Sequence, residues 1–209
     1  MALKLADKIG ADLVMATDPD DDRMGVAVRD SEGQMQLLTG NQIGSLIGWY
    51  RIKTMFDLGW LRESNRSRAV LIKTLVTTEL QSKIASKFGI SVVNTLTGFK
   101  FIGEKLAKYE AAIPTEKKGD YRSLSEEESR KIRLEYSKFF VFGGEESYGY
   151  LGSDFVRDKD GNASAVMFAE LAAYAMSEGT TISGLRDQIW KEYGVHLEQG
   201  KSIVMEGNV

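Results

Sequence analysis

The densest group of chemically active side chains is the stretch Asp18-Pro19-Asp20-Asp21-Asp22-Arg23, which directly follows the apolar residues 13–16. Four carboxylates within five residues repel one another, and at the low-dielectric mouth of a sheet this repulsion is destabilising unless a cation neutralises it. In an extended loop Asp18, Asp20 and Asp22 can point the same way and supply the hard oxygen ligands that Mg²⁺ prefers. A solvated acidic turn is the alternative interpretation.

A second stretch combines glycine with hydrogen-bonding side chains. Residues 143–149, Gly-Gly-Glu-Glu-Ser-Tyr-Gly, follow the apolar residues 139–142. Paired glycines let the backbone approach a ligand closely, and Glu145 and Ser147 can hydrogen-bond to vicinal hydroxyls of a sugar. Taken alone, the same pattern is equally typical of a turn with an exposed acidic rim.

Residues 95–100, Thr-Leu-Thr-Gly-Phe-Lys, also follow a predicted strand and open a predicted helix. Gly98, the free amides of a helix N-terminus and Lys100 together can form an anion site. In layered α/β folds, ligands gather at the carboxyl ends of the strands, where all three loops fall.

Two further lysines are expected at the same edge of the sheet. Lys73 follows the apolar residues 69–72, and Lys159 lies in the stretch Arg-Asp-Lys-Asp-Gly at 157–161. Each lysine alone is typical of a plain surface cation. An acidic loop, a polyol-binding loop and several lysines at one edge together favour a phosphorylated sugar as the ligand.

Strands that alternate with helices must position these loops. This alternation predicts an α/β fold: a three-layer αβα domain with a mixed, largely parallel sheet, plus part of a preceding domain. The predicted strands are residues 13–16, 24–28, 35–38, 69–72, 90–93 and 139–142. The predicted helices end at Gly10, begin at the caps Asn41, Thr77, Ser125 and Ser183, and cover residues 101–109 and 164–176. Residues 114–121 are predicted to be a polar loop, and the charged stretch 116–133 a solvated loop and helix without a binding site.

Composition excludes several classes of function. The chain has 209 residues with 43% hydrophobic and 27% charged, which is typical of a globular protein. With 0 cysteines and only 1 histidine, thiolate sites and sites of several imidazoles are excluded. A net charge of -3 disfavours broad capture of nucleic acid. Apolar runs too short to cross a bilayer, and an N-terminus unlike a signal peptide, predict a soluble, cytoplasmic protein without membrane contact.

Four motifs, in this order along the chain, resemble those of the α-D-phosphohexomutases, with the closest similarity to the phosphoglucomutase/phosphomannomutase branch. They are residues 16–23 (ATDPDDDR), 97–103 (TGFKFIG), 144–149 (GEESYG) and 158–161 (DKDG). The resemblance implies that Asp18, Asp20 and Asp22 bind the catalytic Mg²⁺, with Arg23 beside the active site. It implies that Glu145 and Ser147 select sugar hydroxyls. Around the phosphate and the reacting hydroxyl it places Lys73, Gly98, Phe99, Lys100 and Lys159.

Members of this family have four domains. The first carries a phosphorylated serine, commonly followed by His, and the last carries an Arg-x-Ser-Gly-Thr phosphate clamp. Neither a Ser-His pair nor an Arg-x-Ser-Gly-Thr motif occurs in this sequence. The resemblance therefore implies that residues 1–40 end the second domain, that 41–193 form the third, and that 194–209 lead toward the fourth. The chain is accordingly expected to be an interior fragment, inactive alone, whose partners are the missing domains 1 and 4.

The reaction that the resemblance implies is the interconversion of hexose 1-phosphate and hexose 6-phosphate through a phosphoserine and a hexose 1,6-bisphosphate. Two alternatives stay open. One is a phosphatase in which Asp18 is the nucleophile, although Asp22 stands where such enzymes have Thr or Val. The other is a sugar-phosphate-binding module that performs no transfer.

Overall fold

Two β-sheets with helices packed between them form residues 2–199, the part of the chain that the computed structural model describes. The first sheet is antiparallel, in the order β1-β2-β3, with β1 at Leu13–Thr17, β2 at Met24–Arg29 and β3 at Met35–Leu37. Helix α1 (Ala2–Ile9) precedes it and ends at Gly10, whose φ of 68° suits glycine. The predicted helix end and hairpin are confirmed.

The second sheet has the order β5-β4-β6-β7, with β4 at Ala69–Thr74, β5 at Ser91–Thr95, β6 at Phe139–Gly144 and β7 at Tyr150–Leu151. Strands β4, β5 and β6 are parallel, whereas β7 pairs antiparallel with β6. The predicted mixed, largely parallel sheet is confirmed. Strand β7 was not predicted, because two residues are too few to show an alternating pattern.

Helices cover both faces of the second sheet, which gives the predicted three layers. Helix α4 packs on one face, while α2, α3 and α7 share a core on the other face, and α7 and α8 also contact β2 of the first sheet. The helices are α2 (Gly40–Asp57), α3 (Glu79–Lys87), α4 (Phe99–Ala111), α5 (Thr115–Lys118), α6 (Glu126–Tyr136), α7 (Gly161–Ser177) and α8 (Ile182–Tyr193). Within residues 2–199, no helix combines the length and hydrophobicity needed to cross a membrane.

A bulge in β6 places two consecutive side chains of this strand in the same core. In β4, Val70 faces the smaller core beneath α4, and Leu71 faces the larger core. Val70 pairs with Phe140, but Leu71 pairs with Phe142, so one extra residue of β6 lies between these pairs. Val141 and Phe142 therefore both enter the larger core.

Residues 2–40 and 41–193 are joined by the larger core. Met24, Val26 and Val28 of β2 are buried in the same hydrophobic cluster as side chains of α2, α7 and α8. The first sheet thus packs directly on the helices that cover the second sheet.

Several predicted helix boundaries are wrong by a few residues. At each start a neighbouring threonine or aspartate accepts a backbone amide of the first helical turn instead, and the Asn41 side chain accepts a hydrogen bond from the Thr78 amide at 3.0 Å. Residues 115–118 of the predicted polar loop form α5, and α7 begins at Gly161 behind the cap Asp160. The caps used are Thr39, Thr78 and Thr181 in place of Asn41, Thr77 and Ser183. The capping box at Ser125 is confirmed.

Helix α2 approaches the loop that follows β6 so closely at Gly40 that no side chain fits there. A Cβ atom at Gly40 would lie 1.9 Å from the Glu146 carbonyl oxygen, and the Gly40 carbonyl already accepts the buried Tyr150 hydroxyl at 2.7 Å. We expect Gly40→Ala to lower the free energy of unfolding by about 1–3 kcal/mol in urea titrations, because backbone must move. Gly25→Ala is the control, since its Cβ would meet only the Ala16 oxygen at 3.9 Å. Equal stability of the two variants would contradict this packing.

Candidate functional site

The acidic loop is the tip of the hairpin formed by β1 and β2. One carboxylate oxygen of Asp18 accepts the backbone amides of Asp22 at 3.2 Å and Arg23 at 3.1 Å. Partial desolvation acts to raise the pKa of Asp18, but these amides outweigh it and lower the pKa. Asp21 adopts a left-handed φ of 56°, a conformation that aspartate tolerates better than most residues. The turn thus holds Asp18 ionised and fixed in direction.

The structure brings the three alternate aspartates together. Ligand atoms of Asp18, Asp20 and Asp22 lie within 4.8 Å of one another. One oxygen of Asp22 is buried and has no hydrogen-bond partner among residues 2–199, with Arg23 Nε 3.9 Å away, beyond hydrogen-bonding distance. A buried, unpaired carboxylate oxygen is unfavourable without a cation. These hard oxygen donors therefore fit a divalent ion such as Mg²⁺.

Backbone contacts hold the hairpin tip against two other segments. Arg23 forms an isolated antiparallel bridge with Gly149, and the Met24 amide donates to the Tyr148 carbonyl at 3.1 Å. On the other side, the Gly161 amide donates to the Asp21 carbonyl at 2.9 Å. The tip is consequently positioned by the loop after β6 and by the start of α7.

Lys159 links the acidic loop to the start of α4. Its Nζ lies 2.9 Å from Asp22 and 3.1 Å from Asp158, and 5.6 Å from the centre of the Phe99 ring. Burial acts to lower the pKa of Lys159, but the hydrogen bonds to Asp22 and Asp158 outweigh it and raise the pKa. Lys159 therefore stays charged and balances part of the negative charge of the loop.

Glu145 braces the loop that opens α4. Its side chain is buried, and Oε1 accepts the Gly98 amide at 2.8 Å. Gly98 has a φ of 117°, which side-chain-bearing residues rarely adopt. Ser147 is half-buried in the same loop, followed by Tyr148, a non-glycine residue at a φ of 71°. Strained backbone of this kind persists only where its surroundings hold it.

The structure separates Lys100 and Lys73 from this group in different ways. Lys100 is exposed, with its Nζ 5.1 Å from the centre of the Phe101 ring. The expectation that Lys73 faces the open edge is wrong, because its side chain is 0% exposed. Its Nζ instead donates to the Thr77 carbonyl at 3.0 Å and to Glu79 at 2.9 Å. The buried ammonium is thus satisfied by a backbone carbonyl and by Glu79, whose own side chain is largely exposed.

Sequence reasoning missed Glu146 as a support of the site. Its carboxylate accepts the hydroxyl of Thr74 at 3.3 Å and that of Thr77 at 3.5 Å, which ties the loop to the end of β4. The signal was present, since both threonines follow a strand, but only the structure shows that they lie opposite Glu146. Beside this frame is an open depression of about 390 Å³, lined by Ala16, Thr17, Asp18, Arg23, Gly25 and Tyr148.

Comparison with known proteins shows to which family this αβα domain, with its acidic hairpin tip and Glu-x-Ser loop, belongs. The chain belongs to the phosphoglucomutase/phosphomannomutase family. The family model described as "Phosphoglucomutase/phosphomannomutase, alpha/beta/alpha domain III" matches residues 39–193, which is more than half of the chain.

Individual relatives are similar over almost the whole chain. A mouse protein named phosphopentomutase is 32% identical over 94% of this chain and 28% of its own length. Human glucose 1,6-bisphosphate synthase is 32% identical over 95% of this chain and 28% of its own length. A phosphoglucomutase of Staphylococcus aureus strain USA300 is 32% identical over 99% of this chain and 31% of its own length. The chain thus spans less than a third of these relatives.

Solved structures share the fold at lower identity. The open form of Paramecium phosphoglucomutase (pp63/parafusin) superposes with a TM-score of 0.59 at 20% identity, covering 93% of this chain and 28% of that one. A phosphoglucomutase/phosphomannomutase family protein of Burkholderia thailandensis gives 0.58 at 15% identity, covering 90% and 31%.

The buried Lys73 provides a test of the local electrostatics. The hydrogen bond from Lys73, followed by one from Ser82, lowers the pKa of Glu79 below its usual value of 4.5. We expect Glu79→Gln to reduce the free energy of unfolding by about 1 kcal/mol at neutral pH, because Lys73 loses its counter-charge. A carboxylate with a lowered folded-state pKa stabilises the fold above pH 4.5, and this contribution is lost as the pH falls through that lowered pKa.

Urea unfolding at several pH values is the measurement for this pair. The difference between wild type and Glu79→Gln should therefore shrink on acidification. Glu104→Gln is the matched control, since Glu104 pairs with Lys108 where both side chains are exposed. Indistinguishable effects of the two substitutions would show that the burial of Lys73 has no energetic consequence.

Proposed function

We propose that this chain supplies the magnesium-binding and sugar-binding part of a phosphohexomutase that interconverts hexose 1-phosphate and hexose 6-phosphate. The observation that carries the proposal is the convergence of Asp18, Asp20 and Asp22 within 4.8 Å, joined through Lys159 to the start of α4. A cation, a phosphate and a sugar can meet at such a junction.

The acidic loop and its neighbours would stabilise the negative charge of the transferring phosphoryl group. Asp18, Asp20 and Asp22 would hold Mg²⁺, which supplies positive charge to stabilise that group when bound. Lys159 and Arg23 flank the same loop. In this proposal they offer cationic hydrogen bonds to the equatorial oxygens of the phosphoryl group.

Glu145 and Ser147 would select the sugar. One oxygen of Glu145 accepts the Gly98 amide, which leaves the other oxygen available to a sugar hydroxyl. The amino end of α4, with Gly98, Phe99 and Lys100, would receive the non-transferring phosphate through the backbone amides that follow Gly98. Glu145 and Ser147 would thus contact the sugar between the phosphoryl group at the acidic loop and the phosphate at α4. Such an arrangement suits a sugar that is bound in two orientations.

The remaining catalytic parts would lie on segments outside this chain, since it spans 28% to 31% of the relatives described above. In this proposal those segments include the phosphoserine, which forms the hexose 1,6-bisphosphate, and the phosphate clamp. They would be the partners of this chain, and the chain alone would have no mutase turnover. The relatives named phosphoglucomutase and glucose 1,6-bisphosphate synthase support a hexose substrate.

Asp20→Asn tests the metal site with little disturbance of the fold, because the Asp20 side chain makes no hydrogen bond within residues 2–199. Loss of one carboxylate ligand should weaken Mg²⁺ binding to this chain at least roughly tenfold. Isothermal titration calorimetry with MgCl₂ measures this directly. Glu32→Gln, at the exposed turn between β2 and β3, removes the same charge and should leave binding unchanged. Wild-type affinity in Asp20→Asn would remove Asp20 from the ligand set.

Glu145→Gln tests sugar recognition in the full-length enzyme. The amide oxygen of glutamine can still accept from Gly98, so the loop is retained while the charge-assisted bond to the sugar is lost. We expect kcat/KM for the hexose phosphate to fall roughly tenfold or more, because such bonds contribute about 1.5–3 kcal/mol. Glu146→Gln is the neighbouring control, since its amide oxygen can still accept from Thr74 and Thr77. An unchanged kcat/KM in Glu145→Gln would refute its role.

A further inference from the structure

Helix α6 buries part of the charge that its sequence presents. The expectation that residues 116–133 are solvated is wrong for Arg133, which is only 3% exposed. The reason is long-range: Arg133 Nε donates to the Tyr121 hydroxyl at 2.6 Å, and Nη2 forms an ion pair with Asp154. Its remaining nitrogen, Nη1, is buried and has no hydrogen-bond partner within residues 2–199.

The Arg133 guanidinium lines a cavity at the amino end of β6, whereas the acidic loop lies beyond the carboxyl end of that strand. The cavity has a volume of about 240 Å³ and lies between α2, α6 and residues 152–154. Phe139 and Phe140, at the amino end of β6, form its apolar floor, whereas the acidic loop contacts the segment beyond the carboxyl end of the strand. A second hollow of about 280 Å³ adjoins it and shares Tyr121, Ser129 and Asp154 among its lining residues.

Two more arginines line the same cavity. Arg51 is fixed from α2, with Nε donating to the Val141 carbonyl at 3.0 Å and Nη2 to the Gly152 carbonyl at 2.6 Å. Arg130 lies one turn before Arg133 on α6, where it pairs with Glu126. Its guanidinium carbon is 3.8 Å from the centre of the Trp60 ring, so the group lies against the aromatic surface.

One donor around the cavity lacks an acceptor. Three arginines line the cavity together with two carboxylates, those of Glu126 and Asp154, and Glu170 also acts electrostatically on Arg51. The Nη1 donor of Arg133 is nevertheless left without an acceptor within residues 2–199. Removing an unpaired charged donor from water is costly, so an anionic acceptor in the cavity would satisfy it.

We propose that this cavity binds a phosphate group, either inorganic phosphate or that of a small phosphate monoester. This site is separate from the sugar-phosphate site proposed above. Guanidinium groups match the oxygens of phosphate, and the hydroxyl of Ser153 can add a hydrogen bond. A volume of about 240 Å³ accommodates a phosphate group but is smaller than the usual pocket for a drug-sized ligand. The organic part of a phosphate monoester would extend into the adjoining hollow.

Nuclear magnetic resonance of the arginine Nε–Hε groups in this chain, titrated with inorganic phosphate, tests the proposal. We expect the signals of Arg51, Arg130 and Arg133 to shift together and to saturate at millimolar phosphate. A titration with glycerol phosphate distinguishes the two sources of the group. Tighter binding of the monoester would assign the adjoining hollow to its organic part, whereas equal affinity would identify free phosphate as the ligand.

Matched variants on α6 separate this cavity from general charge effects. Arg130→Gln should weaken phosphate binding about tenfold, which is the loss of one charge-assisted contact. Lys131→Gln removes the same charge from the neighbouring residue, which pairs with Glu127 on the exposed side of the helix, and should have no effect. Asp20→Asn should also leave these shifts unchanged, because its loop lies elsewhere.

Three results would overturn the proposal. The arginine signals could fail to move in wild-type protein, a measurement that does not depend on any variant folding. Phosphate could shift only the signals of residues around Arg23 and Lys159. Arg130→Gln and Lys131→Gln could weaken binding equally, which would show a diffuse response to charge.

Discussion

Repulsion among the carboxylates of residues 18–22 is the constraint that the surrounding structure has to offset. Two backbone amides converge on Asp18, and Lys159 pairs with Asp22 at 2.9 Å. Lys159 reaches Asp22 only because the start of α7 lies against the hairpin tip, where a Cβ at Gly161 would be 2.6 Å from the Asp21 carbonyl oxygen. The packing of α7 between the two sheets is therefore a condition for an ordered acidic loop, and a change in that packing would affect the site from a distance.

The same close approaches connect the three loops of the site into one frame. The hairpin tip bridges to Gly149, where a Cβ would lie 2.4 Å from Lys159, and Glu145 of the same loop holds the Gly98 amide. Each loop thus uses backbone or a buried carboxylate to fix its neighbour. Since the contacts are made by groups without rotational freedom, the loops keep their relative positions before a ligand binds, which lowers the entropic cost of binding.

Local pattern was sufficient for most of the fold, because strands of four to six apolar residues and capped amphipathic helices are short-range signals. Prediction from local pattern failed where contacts between residues distant in sequence determine the position of a side chain or loop. The acidic loop was placed by the rule for parallel strands, yet β1 belongs to an antiparallel sheet, and the loop joins the site through Gly149 and Gly161 instead. Lys73 was expected at the ligand edge of the sheet, and Arg133 was expected to be solvated. Both side chains are buried and form ion pairs, with Glu79 and with Asp154 respectively, and the neighbouring sequence does not indicate that burial.

Strand β6 gives the molecule two ends of opposite electrostatic character. Its amino end, at Phe139, borders the cavity with three arginines, and its carboxyl end leads into Glu145 and Glu146. Residues 152–160 return along this distance, since Asp154 pairs with Arg133 at one end and Lys159 pairs with Asp22 at the other. Arg157, between them, pairs with Glu110 of α4. One short segment is thus held by ion pairs at both ends and in the middle, and the backbone that positions Lys159 is continuous with the segment that lines the arginine cavity.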